Sequence, residues 1–284
     1  MKRSRIMAAW AVVILALAIT ASSTQAAVIY ESFSQDAGAL DGQPSGAGLS
    51  GNWSDVQDVN VVTPATLSYG NLQNAGGQAD MLNGNGAGAW VTTNSDLADA
   101  GLLDDGATLW FSLVFQKTSG GGSNEHSGFA FGTERVAAAY NGARMNTGYG
   151  LGYYSRNNTV SVATWNNSGA NVGGSLSFDY STPVLVVGKI EWGATAGDDE
   201  TITLYTPSLT DLATLGTGVS KTAAGFDQTA LDTISFTQRN SGGTQTYDEI
   251  RFGATYDEVT VPEPATLALV GLGGLGLLRR RRRA

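Results

Sequence analysis

The chain has 284 residues, room for one large domain or two small ones. With 38 glycines, 14% charged residues and no cysteine, it excludes disulfides, thiol nucleophiles, thiolate metal sites and iron–sulfur clusters. The formal net charge is −9. Setting aside the two basic ends described below leaves eight basic and 24 acidic residues, a net −16 that excludes phosphate neutralisation on nucleic acid and on anionic lipid.

The first element is a targeting segment. Lys2, Arg3 and Arg5 form a basic start, and Ile6 to Ile19 is an uncharged apolar run. This run is shorter than the ~20 residues of a spanning helix. Thr24 and Ala26 are small residues at the positions a signal peptidase reads, so residues 1–26 are expected to be a secretory signal helix cleaved after Ala26.

From Val28 onward the apolar residues alternate. Leu109, Phe111, Leu113 and Phe115 share one strand face, as do Val184, Val186, Ile190 and Trp192. Thr201–Tyr205 and Thr233–Thr237 repeat the alternation with Thr and Ser outward. Further strands are predicted near 28–33, 78–82, 88–93, 127–140, 148–155, 159–165 and 247–252, separated by Gly, Asn, Ser and Asp clusters. The one predicted helix is short, with Ser95 as cap and Gly101 as stop. No long linker divides residues 27–260, so they read as one all-β sandwich domain.

The chain closes with Pro262-Glu263-Pro264, an uncharged stretch from Ala265 to Leu278, and Arg279 to Arg283. This stretch is also too short for a stable anchor, and the arginines would stay cytoplasmic. Residues 261–284 are therefore expected to form a hydrophobic helix inserted transiently in the inner membrane. Gly271, Gly273 and Gly276 spell a dinucleotide fingerprint, but no strand precedes them and no acidic residue follows at the required distance. Gly46, Gly48 and Gly51 fail for the same reason.

In order and spacing this ending resembles the PEP-CTERM sorting signal. The resemblance implies recognition at Pro262, Glu263 and Pro264 by an exosortase, a membrane-embedded cysteine transpeptidase. A second resemblance rests on Tyr30-Glu-Ser-Phe33, Ala39-Leu-Asp-Gly42, Gly51-Asn-Trp53, Leu67-Ser-Tyr69, Trp110-Phe-Ser112, Val187-Gly-Lys-Ile190 and Asp248-Glu-Ile-Arg-Phe-Gly253. These are similar to segments of concanavalin-A-like (LamG-like) domains, over about residues 28 to 260. What this implies is a jelly-roll sandwich of two antiparallel sheets, a fold that hosts lectins, glucanases and structural modules.

Catalytic patterns are sparse. No glutamate has Asp two residues on, so the Glu-x-Asp-x-Glu cleft of laminarinase-type glucanases is absent, and no catalytic residue is assigned. His126, the single histidine, reads as a solvated loop residue, and Asp104-Asp105-Gly106 and Asp198-Asp-Glu200 read as water-facing turns. Asp248 shares alternation with Ile250 and Phe252, so its carboxylate is expected on the packed side, where it needs a partner. Two partners are open: backbone N–H groups at a strand end, or a structural calcium, which in the resembled fold would sit near the first and penultimate strands with Glu31 adjacent. Trp53, Trp90, Trp110, Trp165, Trp192, Tyr149, Tyr153 and Tyr154 supply rings for sugar stacking or for the core. The sequence thus points to a non-enzymatic exported surface or matrix protein with polysaccharide as a partner. The alternatives are a glycan-active hydrolase with a non-standard site, or a purely structural adhesive module.

Overall fold

The computed structural model describes residues 29–260, apart from 58, 73, 82–86, 94–95, 118–125, 134–148, 157, 167–168, 180, 196, 225 and 240–243. The signal segment, the sorting tail and both terminal helices expected from the sequence lie outside the described residues. Among the described residues no helix is long and apolar enough to cross a membrane.

The strands are β1 (Ile29–Glu31), β2 (Gly38–Ala39), β3 (Trp53–Gln57), β4 (Val59–Val62), β5 (Gln78–Met81), β6 (Gly88–Thr92), β7 (Thr108–Lys117) and β8 (His126–Gly132). They continue as β9 (Gly150–Arg156), β10 (Thr159–Asn166), β11 (Gly169–Ser177), β12 (Val184–Glu191), β13 (Glu200–Tyr205), β14 (Val219–Ala223), β15 (Thr233–Arg239) and β16 (Gln245–Gly253). Two short helices, α1 (Asp96–Asp99) and α2 (Tyr256–Thr260), and a 3-10 turn at Gln228–Ala230 complete the elements.

The described strands form two antiparallel sheets. One runs β14-β13-β12-β7-β16-β5-β4-β2 with β1 added against β16, and the other runs β11-β10-β9-β8-β15-β6-β3. This is the all-β sandwich expected from the alternation. Phe111, Phe115, Tyr247 and Phe252 of the nine-stranded sheet meet Phe129, Tyr153 and Phe236 of the seven-stranded sheet, all buried. Phe111 and Phe129 lie 5.5 Å apart between centroids. Each such ring contributes about 1.5–3 kcal/mol on burial.

A second, smaller apolar cluster covers the outer face of the nine-stranded sheet, where Val114, Leu185 and Val187 pack under Tyr69, Leu72 and Val259. Helix α1 has the predicted position and stop. Leu97 is its buried residue, and Gly101 ends it at φ +70°, a conformation that favours glycine.

Several strands depart from the predicted set. β2, β3, β4, β11 and β14 are absent from it, the last two because GANVGGSLS and VSKTA carry few apolar residues to alternate. The strand predicted over 127–140 is β8, ending at Gly132, and residues 134–140 lie outside the described set.

Candidate functional site

Asp248 is where the structure corrects the sequence most. Its neighbours Tyr247, Ile250 and Phe252 belong to the inter-sheet core. Between Asp248 and Arg251 the register against β7 shifts: Asp248 lies opposite Val114 and Arg251 opposite Ser112, so three steps on β16 match two on β7. That is a β-bulge. It falls where β16 changes its other partner, from β5 at Gln245–Tyr247 to β1 at Ile250–Phe252. Glu249 within it has φ +56°, uncommon for a residue with a Cβ. The bulge breaks the alternation, so Asp248 does not share a face with Ile250. It faces the outer cluster with Val114, and it is fully buried there.

Its partners are hydrogen-bond donors. The Tyr69 hydroxyl donates a short hydrogen bond to Asp248 Oδ2, and the Glu249 N–H donates to Oδ1 at 2.7 Å. Burial pushes the Asp248 carboxyl well above the usual range, with the neighbouring Glu249 charge adding to it. Glu249 accepts from the Tyr30 hydroxyl at 2.8 Å, from the Ala75 N–H at 3.0 Å and from Arg251. The Arg251 guanidinium also lies 4.9 Å from the Tyr30 ring centroid. Burial raises Glu249 and the cation beside it pulls the other way.

Glu31 lies across the sheet from this group. It pairs with Ile250 and points to the inter-sheet side. Four N–H groups donate to it: Phe33 and Gly46 at 2.7 Å, Trp53 Nε1 at 2.8 Å and Gln35 Nε2 at 3.1 Å. Burial raises its carboxyl, and those donors counter the shift. The two acids named for calcium thus occupy opposite faces of one sheet. Donors rather than oxygen ligands surround them, and among the described residues no group of three or more acidic or histidine side chains gathers for a metal. For Asp248 the observed partner is of the hydrogen-bonding kind.

The remaining sequence candidates sort by burial. Trp53, Trp165, Trp192 and Tyr153 are buried, whereas Trp90, Trp110 and Tyr154 are half-buried and Tyr149 is exposed. Asp104, Asp105, Asp198 and Asp199 are exposed turn residues as expected. Glu200 is not: it begins β13 and is buried.

His126 is likewise no loop residue. It opens β8, half-buried, and its Nδ1 shares a short hydrogen bond with the Tyr154 hydroxyl, the ring centroids 5.3 Å apart. Register places Arg156 directly opposite His126 on β9, and Arg239 opposite it on β15. Arg156 is exposed. This gives the seven-stranded sheet one end where an imidazole, a phenol and a guanidinium converge on the outer face. The sequence carries no local sign of it, because His126 on β8 meets Tyr154 and Arg156 on β9 only through strand pairing.

Comparison with known proteins assigns the tail. Residues 260–283 match the PEP-CTERM protein-sorting motif. The chain therefore carries an exosortase sorting signal, which implies export and a membrane-held state before processing. No curated protein matches the chain. Among solved structures, an alginate lyase from Aplysia kurodai is similar at TM-score 0.47 and 8% identity, covering 70% of this chain and 87% of that one. An endo-β-1,4-glucuronan lyase from Trichoderma reesei is similar at TM-score 0.45 and 13% identity, covering 82% and 98%. The binding domain of botulinum neurotoxin DC, solved with rat synaptotagmin II, is similar at TM-score 0.46 and 11% identity, covering 88% and 52%. At these values the likeness transfers no activity and no ligand.

Proposed function

We propose that this PEP-CTERM protein is a non-enzymatic cell-surface or matrix protein that binds polysaccharide at the β8–β9 end of its seven-stranded sheet. The observation that carries the reading is the His126–Tyr154 pair with Arg156 beside it on the outer face. A half-buried phenol ring offers an apolar face to a sugar, and the neighbouring imidazole and guanidinium offer hydrogen bonds to its hydroxyl or carboxyl groups. The two adjacent acids Asp248 and Glu249, which a hydrolase could have used, are sealed under Tyr69 and Tyr30 instead of lining a groove.

A glycan array probed with residues 27–260 tests this. The parent is expected to retain one class of polysaccharide, and Tyr154→Ala and Arg156→Ala to weaken that binding about tenfold or more, on the order of 1.4 kcal/mol. Binding unaffected by both substitutions would move the site elsewhere. No binding by the parent would favour a purely structural module.

A further inference from the structure

At one end of the sandwich the interior changes from aromatic to polar. On the nine-stranded sheet Gln245 of β16 lies opposite Lys117 of β7. On the facing sheet Ser127 of β8 lies between Ser155 of β9 and Gln238 of β15. The two sheets touch here, because the Gln245 N–H donates to Gln238 Oε1 at 3.1 Å. One layer deeper are the hydroxyls of Tyr153 and Tyr247. The Tyr247 hydroxyl reaches the Thr237 and Gly128 carbonyls only at 3.4 and 3.5 Å. The Tyr247 hydroxyl also lies beside Tyr153 and Ser127, close enough to influence both.

Every one of these residues is buried. Ser127 Oγ, Ser155 Oγ, Tyr153 Oη and both amide atoms of Gln245 nevertheless have no hydrogen-bond partner among the described residues. One buried polar group left unpaired costs about 1–3 kcal/mol, and such groups are rare in native proteins. Five such atoms at one end of the interior, contributed by three strands, would be a large cost if nothing met them.

We propose that this layer is a binding site for small neutral hydroxylic molecules, water itself or a small polyol, enclosed between the two sheets. The chemistry of the lining selects that class. Serine and tyrosine hydroxyls and a primary amide both donate and accept, as an O–H group does, and buried Lys117 opposite Gln245 adds N–H donors that an O–H oxygen also accepts. Among the described residues no carboxylate belongs to the layer, so it lacks the hard anionic ligands a cation needs. An apolar occupant would leave all five atoms unpaired. Burial pushes both phenols upward, so each keeps its proton and remains a donor. At about three hydrogen bonds per buried water, two waters would satisfy the set.

Two measurements on the exported chain test the site. Crystals grown without polyol, at a resolution that shows waters, are expected to hold ordered water within ~2.7–3.2 Å of Ser127, Ser155, Tyr153 and Gln245. In crystals soaked with glycerol, replacement of that water by glycerol identifies a polyol as a second occupant, and retention of it leaves water as the natural one. Polar atoms paired directly with one another, or a layer without density, would overturn the proposal. The second measurement is the sign of a thermal shift. With an occupant bound, Ser155→Ala and Tyr153→Phe each deprive it of a partner, and Tm falls by a few degrees. Without an occupant, each substitution removes an unpaired polar group, and a rise in Tm for both would reject the site.

Discussion

The Asp248 carboxyl is raised by burial, and the direction of that shift fixes how it acts on stability. A folded-state pKa above the unfolded value of about 3.9 means that the native chain holds a proton the unfolded chain has released. The stabilising contribution is therefore complete below pH ~4 and is lost as pH rises through the folded value. Glu249 and Glu31 are shifted the same way and add to the slope. Asp248→Asn keeps an acceptor for the Glu249 N–H and removes the ionisation. Its Tm is expected to match the parent near pH 3.5 and to exceed it by several degrees at pH 8, with about 2–4 °C for each 1 kcal/mol. A parallel Tm–pH curve for the variant would show that Asp248 is not the group titrating. Since N–H and O–H donors already fill Asp248 and Glu31, calcium and magnesium at equal concentration are expected to shift Tm alike, in the parent and in the variant. A calcium-selective shift lost in Asp248→Asn would assign the ion to Asp248 after all.

At the scale of elements, β7 and β12 were fully legible, because both their faces are set by strict alternation. They pair from Val184↔Phe115 to Glu191↔Thr108 without a register shift. Gly188 occupies the inward position opposite Phe111, and a Cβ there would overlap the Phe111 ring. That ring is held by Phe129 and Phe252 and has little room to move. Gly188→Ala is expected to destabilise by about 1–3 kcal/mol in chemical denaturation, the usual cost of overpacking. A change inside ±0.5 kcal/mol would mean the ring relocates freely. β16 was legible as a strand over 247–252 with Ile250 and Phe252 on the packed face, and only the side taken by Asp248 was misread. A spacing of three between the apolar Tyr247 and Ile250, then two to Phe252, is the one sequence sign of a bulge there. It is weak because charged residues fill the gap. β11 and β14 were invisible, since Gly- and Ser-rich segments gain their strand form from the neighbours they pair with.

For the whole molecule, the sorting tail and the β-sandwich carry separate tasks. Replacing Pro262, Glu263 and Pro264 with alanine is expected to leave the protein in the inner membrane with its tail attached, detected by fractionation and mass spectrometry of the C-terminus. Release of a tail-less variant would show that processing reads some other feature. The polysaccharide reading is independent of that outcome, because His126, Tyr154 and Arg156 belong to the sandwich and not to the tail.

The sequence by itself determined the sorting signal and the architecture. Sorting signals are read as linear chemistry, and a strand whose one face is buried must alternate. Tertiary structure alone decided the chemistry of the sites. His126, Tyr154 and Arg156 meet through strand pairing, the orphaned hydroxyls of Ser127 and Ser155 meet Gln245 through sheet stacking, and Asp248 changed faces through a bulge. Each of these depends on which residue of one strand stands opposite which residue of another. That register follows from the packing of the whole sandwich, and no local stretch of the chain encodes it.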